Sequence, residues 1–252
     1  MKVINDIKYG NIPGRVLDLY LPDAESFPVF VFFYGGALEC GDKSLYPFFG
    51  EYLAKFGIAS AMVNYRMYPE ATYPDFIHDA AAGAAWVYKH IKEYGNCTGV
   101  YVGGSSAGGY LSQMICFDRR YLAPHEILPT DFKAFIHDAG QPTCHFNVLR
   151  ERGIDKRRII IDESAPLFHV GKDAEYPPML IMVSDNDLEN RYEQTMLLLS
   201  TLKHFGTDMS KIEHKVLLGS HCEYVFTIRE DGTSVYGEMI KDYILKMEQS
   251  GM

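Results

Sequence analysis

Gly99-Val100-Tyr101-Val102-Gly103-Gly104-Ser105-Ser106-Ala107-Gly108-Gly109 is the stretch from which the rest of the chain is read. Its first half is apolar, β-branched and aromatic, which predicts a strand. From Ala107 to Phe117 the residues are small and apolar, which predicts a helix. Between them, residues 104–108 spell Gly-x-Ser-x-Gly. A strand, a sharp turn and a helix form the setting in which that pattern lifts a serine hydroxyl above a sheet. The two glycines flank the turn, where a Cβ would crowd it. The N-terminus of the following helix favours a developing negative charge. A phosphate-binding loop does not fit, because no lysine follows. Ser105 is out of register: Gly103 lies two before it, but Ala107 lies two after. Ser106 is therefore the candidate nucleophile.

Outward from this turn, apolar runs recur at Arg15–Leu21, Pro28–Tyr34, Ile58–Tyr65, Phe132–Ile136, Met179–Val183 and Lys215–Leu218. Continuous Val/Ile/Phe runs bounded by Gly, Pro or Asp suit strands covered on both faces. Helical patterns alternate with them at Asp75–Tyr94, Tyr192–Phe205 and Val235–Met247. That alternation predicts an α/β fold with a mostly parallel sheet. The turn around Asn11-Ile12-Pro13-Gly14 predicts an antiparallel start. The basic stretch from Arg150 to Arg158 reads as a surface loop or a short excursion near the site.

Phe33-Tyr34-Gly35-Gly36-Ala37-Leu38 follows one of the predicted strands. A glycine-rich turn there can direct backbone N–H groups inward, onto the oxyanion that acyl transfer develops. Gly35, Gly36 and Ala37 are the candidate donors, joined by Ala107, the residue after the nucleophile.

At this point the sequence resembles a known group. The turn is similar to the His-Gly-Gly-Gly-type motif of hormone-sensitive-lipase-like and carbohydrate- or feruloyl-esterase-like α/β-hydrolases. Gly41-Asp42-Lys43, Asn64-Tyr65-Arg66 and the run from Pro74 to Trp86, with Asp79 inside it, resemble further motifs of those families. The likeness runs from about Val16 to about Val225. It implies the α/β-hydrolase fold, a three-layer sandwich around a twisted, mostly parallel sheet. The expectation is a single domain over residues 1–252 without a large cap. Two positions depart from the pattern: Tyr34 stands where relatives carry His, and Ala37 where they carry the third Gly.

The resemblance also implies the chain order Ser, Asp, His. The strand Pro177–Val183 ends in Ser184-Asp185-Asn186-Asp187, and the likeness maps the acid onto Asp187, with Asp185 as the alternative. For the base, His221 lies in a loop just after a predicted strand, follows Gly219, and comes 34 residues after Asp187. Of the other histidines, His78, His90, His125 and His204 read as surface or core residues. The sequence leaves His137, His145, His169 and His214 open. Cys222 reads as inert, and Cys40 as a residue that could line the pocket.

The formal net charge of -9 disfavours nucleic acid and anionic membranes as partners. Five widely spaced cysteines without a Cys-x-x-Cys pair suit reduced thiols rather than a disulfide framework or a zinc site. With no signal-peptide pattern and no membrane-length apolar run, the expected location is the cytoplasm. The expected activity is serine-dependent hydrolysis of short-chain acyl esters, including acetyl or aryl esters of carbohydrates. No cofactor or metal is expected, and the partner is a small ester. The alternatives are an arylformamidase or amidase, and a hydrolase-fold protein that binds without turnover.

Overall fold

The computed structural model describes residues 1–173 and 175–250; Ala174 and the last two residues of the expected 1–252 domain lie outside the described residues. Eight strands form one sheet: β1 (Lys2–Lys8), β2 (Val16–Leu21), β3 (Ser26–Phe33), β4 (Ala59–Val63), β5 (Asn96–Ser105), β6 (Ala134–Asp138), β7 (Met179–Asn186) and β8 (Ile212–Ser220). Their spatial order is β1-β2-β4-β3-β5-β6-β7-β8. β2 pairs antiparallel with β1 and with β4, and every other neighbouring pair is parallel. The α/β-hydrolase arrangement implied by the sequence is the one observed.

Among the described residues, six α-helices lie between the strands, α1 (Pro47–Lys55), α2 (Asp75–His90), α3 (Ala107–Phe117), α4 (Phe146–Glu151), α5 (Pro166–His169) and α6 (Arg191–His204), and α7 (Val235–Ser250) follows the last one. The step from β3 to β4 moves one way along the sheet. The steps from β4 to β5 and onward to β8 move the other way. Right-handed crossovers therefore put α1 on one face and α2, α3 and α6 on the opposite face. Phe30 and Phe32 point to the α1 side, where their rings meet Phe49 of α1, and Phe32 also meets Tyr236 of α7. From Phe27 to Phe33 every residue of β3 is buried, as a strand covered on both faces requires.

Reversal of winding leaves a crevice between the C-terminal ends of β3 and β5. In open α/β sheets, such a switch point is where ligands bind. The glycine-rich turn leaves β3 there, and the serine turn leaves β5.

The sequence did not reveal α1, α4 or α5. α1 carries Gly50 at its centre, a poor helix former. Its absent side chain lets the helix lie flat on Tyr20, whose ring would stand 2.5 Å from a Cβ at that position. Arg150, read as part of a loop, belongs to the last turn of α4, while residues 152–158 follow it as irregular chain. β8 forms one edge of the sheet, paired only with β7, and its Leu218 is 90% exposed. Among the described residues, no helix is long and apolar enough to cross a membrane.

Candidate active site

Ser106 sits between β5 and α3 at φ 55° and ψ -113°. This left-handed conformation is unfavourable for a residue with a Cβ, and the surrounding packing enforces it. A Cβ on Gly108 would fall on the Phe33 carbonyl oxygen, and one on Gly104 would meet Gly108 and Phe33. The glycines of the motif are thus where β5, α3 and the end of β3 touch backbone to backbone. The Ser106 N–H donates to the Asp138 carbonyl at 2.8 Å, which ties the turn to the end of β6.

His221 arrives on the loop after β8. Its Nε2 lies 2.7 Å from Ser106 Oγ, and its Nδ1 lies 2.5 Å from Asp187 Oδ1. The Asp187 side chain is fully buried, while that of His221 is 19% exposed. Burial pushes the Asp187 carboxyl up. The hydrogen bond and charge of His221, the Leu188 N–H and the charge of Arg191 outweigh this and hold it below its ordinary value. Asp185 Oδ1 instead accepts from the Gly219 N–H at 3.0 Å. It steadies the turn that carries the imidazole. The Ser105 hydroxyl instead donates to Cys222 Sγ at 3.2 Å.

The turn after β3 adopts an unusual path. Gly36, Ala37 and Leu38 have φ of 129°, 60° and 65°. A Cβ on Gly36 would coincide with the Cys40 carbonyl oxygen. Glu39 and Cys40 N–H groups both donate back to the Gly36 carbonyl, at 2.9 and 3.0 Å. The Ala37 carbonyl accepts from the Asn147 amide, and the Leu38 carbonyl accepts from the Tyr68 N–H at 2.9 Å. The Ala37 and Leu38 carbonyls are thus satisfied from outside the turn, and the Gly36 carbonyl from within it. Among the described residues, the N–H groups of Gly36, Ala37 and Ala107 donate to no other backbone group. Gly35 differs: its N–H faces the Tyr46 hydroxyl. A Cβ there would stand 3.1 Å from Ser106 Cβ. Gly35 lets the two turns approach.

Three signature stretches meet behind this turn. Asn64 donates to Asp42 Oδ2 and accepts from the Lys43 N–H, both at 2.8 Å. The Tyr65 hydroxyl donates to the Tyr34 carbonyl at 2.8 Å. Arg66 and Arg15 both bind the buried Asp79 carboxylate. Tyr34, in place of the usual His, is buried and stacks between Tyr46 and Tyr65 at 5.9 and 4.9 Å.

Asn147, Asp138 and Tyr224 were not singled out in the sequence. Asp138, the last residue of β6, accepts from the Tyr224 hydroxyl behind His221. Burial pushes its carboxyl up to about 6. His137 and His145 are buried, and burial holds both imidazoles low. His145 Nδ1 accepts from the Asn147 N–H and so starts α4. Burial, followed by the charge of Asp138, pushes the Cys222 thiol up, which leaves it a poor nucleophile. Cys40 is exposed, with its thiol 3.4 Å from the Gly36 carbonyl. Among the described residues, no group of three or more His, Cys, Asp or Glu is placed to hold a metal ion.

Known proteins share this framework. A probable isoprenylcysteine alpha-carbonyl methylesterase of Arabidopsis thaliana is 36% identical over 113 residues, 44% of this chain and 24% of the relative. LipM, a probable carboxylic ester hydrolase of Mycobacterium tuberculosis, is 30% identical over 209 residues, 72% of this chain and 47% of the relative. The chain thus spans about a quarter of the plant protein's length and under half of the mycobacterial one's. Among solved structures, a truncated carbohydrate esterase from gut microbiota superimposes with a TM-score of 0.77 at 19% identity, covering 99% of this chain and 97% of that one. The BD-FAE family model matches residues 17–149, which hold the β3 turn, the 64–66 stretch, Asp79 and the serine turn. Asp187 and His221 lie beyond that match. With more than half of its length matched, this chain belongs to the BD-FAE family.

Proposed function

We propose that the chain is a serine carboxylesterase working through an acyl-enzyme. The observation that carries this reading is the unbroken hydrogen-bonded series from Ser106 Oγ through His221 to Asp187 at the switch point. The ester-hydrolase names of the relatives support it. Ser106 Oγ attacks the acyl carbonyl as His221 Nε2 takes its proton, and Asp187 stabilises the imidazolium through Nδ1. The carbonyl oxygen becomes an alkoxide, held by the N–H groups of Gly36, Ala37 and Ala107. His221 returns the proton to the departing alcohol. Water then repeats the sequence on the acyl-serine and releases the acid.

The substrate class we propose is a short-chain acyl ester, including acetyl or aryl esters of carbohydrates. The Ala37 Cβ narrows the space beside the nucleophile, which favours a small acyl group. Phe226, 56% exposed just after the His221 loop, packs on Tyr46 and Phe48 at 5.3 and 5.8 Å. That exposed aromatic ledge suits an aryl ring. We place the protein in the cytoplasm, with the described residues forming one α/β domain that carries no large cap. All five thiols are free, which suits a reducing compartment.

A fluorophosphonate probe tests the nucleophile. Wild type is expected to label, and Ser106→Ala is not. Turnover of p-nitrophenyl acetate is expected to fall by about 10⁶ in Ser106→Ala. Equal labelling of the two proteins would sink the proposal. A marked preference for N-formylkynurenine over p-nitrophenyl acetate would replace the esterase by an arylformamidase.

A further inference from the structure

Arg191 is the first residue of α6, and the mechanism above does not use it. Its position is costly on three counts. The residue is 4% exposed, so its charge is taken out of water. It stands at the helix end where the dipole disfavours a cation. Both groups that its guanidinium binds are neutral: it donates to the Ala139 carbonyl and, at 3.2 Å, to Gln141 Oε1. Burial pushes the guanidinium down from its ordinary value, and the charge of Asp187, followed by that of Cys222, opposes this. An arginine side chain stays protonated even so. The fold thus keeps a buried cation whose counter-charge is the proposed acid.

The two ends of Arg191 reach different parts of the site. Its backbone N–H donates to the Leu188 carbonyl at 2.9 Å, and the Leu188 N–H donates to Asp187 Oδ1 at 2.7 Å. The acid loop is therefore wound directly onto this residue. At the other end, the guanidinium holds the carbonyl of Ala139, which leaves β6 in a left-handed conformation at φ 47°. Gln141 Oε1 also accepts from the Phe146 N–H, at 3.3 Å, where α4 begins. The next residue, Asn147, donates to the Ala37 carbonyl in the β3 turn. A connected series of contacts thus runs from Asp187 through Arg191, Gln141 and α4 to the proposed oxyanion donors.

We propose that Arg191 is a positioning residue for the reaction: its fixed charge keeps Asp187 ionised beside His221, and its guanidinium holds the acid loop to the segment that braces the β3 turn. The proposal rests on the esterase reading for the roles of Asp187 and His221. A positive charge beside the pair disfavours a proton on either member. The pair is therefore ready to take the Ser106 proton at a lower pH than it would be without Arg191. Other titratable groups face the pair. Burial pushes Cys222 and Tyr224 up, which keeps both neutral. Asp138, at the end of β6, interacts with His221 and Asp187, and burial pushes it up to about 6. Of these three, Asp138 is the one that changes charge in the working range, so the test must remove it.

The test compares wild type, Arg191→Met and Arg191→Lys, each with and without Asp138→Asn. The pH profile of kcat/KM is measured with p-nitrophenyl acetate. Arg191→Met is expected to move the acid limb up by roughly one pH unit, and Arg191→Lys to leave it in place. Both variants lose the guanidinium fork. A residue that only held the loops would lower activity in both and leave the limb where it was. An unmoved limb in Arg191→Met, or an equal shift in Arg191→Lys, overturns the proposal. So does a shift that vanishes in the Asp138→Asn background. If Arg191→Met does not fold, Arg191→Gln takes its place, since its amide is uncharged and still donates to a carbonyl. Proton NMR titration of the His221 ring, identified by the signal lost in His221→Ala, reads the same shift without substrate. If no ester is turned over, the esterase reading fails. The NMR arm then decides alone, and an unmoved His221 titration in the uncharged variant overturns the role of Arg191.

Discussion

Asp138 is a carboxylate that folding buries, and among the described residues no Lys or Arg pairs with it. One oxygen accepts from the Tyr224 hydroxyl, and the other has no partner among the described residues. Burial raises its carboxyl to about 6, from an ordinary value of 3.8. Between those values the folded state binds more protons than the unfolded state, so stability from this group falls as pH rises and is lost above about 6. Asp138→Asn keeps the shape and the acceptor and removes the charge. It is expected to stabilise the protein by roughly 3 kcal/mol at pH 8, with the gain shrinking toward pH 4. Urea titrations at pH 4, 6 and 8 read this directly, and a gain that does not vary with pH would contradict it. Legibility at this scale followed chemistry. Gly104 and Gly108 stood out because a serine turn needs them at fixed spacing. In Ile136-His137-Asp138 nothing distinguishes a buried acid from a strand-end turn residue, because what gives Asp138 its character is Tyr224, 86 residues away.

α4 is too short for its hydrophobic period to be read, at six residues and fewer than two turns. Its effect on the site comes through the back of the β3 turn. Asn147 donates to the Ala37 carbonyl, Arg150 pairs with Glu39, and Arg150 lies over the Tyr68 ring at 5.2 Å. Asn147→Ala frees a carbonyl beside a proposed oxyanion donor and is expected to lower kcat about tenfold, part of the ~2.7–4 kcal/mol that one donor supplies. Arg150 and Glu39 are 44% and 32% exposed. Arg150→Ala should therefore change kcat less than about threefold. Steady-state kinetics on both variants tests the ranking, and the reverse order would show that α4 does not act through Ala37. The same contrast explains what the sequence showed about the signature stretches. Residues 41–43, 64–66 and 79 were visible as a pattern, but the pattern did not show that they interlock behind the turn and leave the chemistry to others.

Across the whole molecule, Asp79 joins the parts. Its buried carboxylate takes Arg15 from the entrance of β2 and Arg66 from the exit of β4, and fixes both to α2. Burial pushes that carboxyl up, but the two guanidinium groups outweigh it and hold it low. Its contribution is thus present above the ordinary carboxylate value and is lost as pH falls through the depressed one. Asp79→Ala leaves two part-buried cations unpaired and is expected to cost about 3–5 kcal/mol at pH 7, a loss that should narrow in acid. Urea midpoints for the pair across pH 3–7 would show it. The α/β alternation was legible because both-sided burial leaves continuous apolar runs. The clamp was not, because it joins residues 64 apart. One feature of the sheet also sets how this protein would fail. The nucleophile stands on a central strand, bonded on both sides, whereas the imidazole follows a strand bonded on one side only. Local opening should therefore begin at the β8 border, with the amides of Leu217–Ser220 exchanging with deuterium well before those of Val100–Gly104. A molecule caught part-way open has lost its base but kept its serine turn. It falls silent instead of becoming an indiscriminate nucleophile, and closing the border restores it.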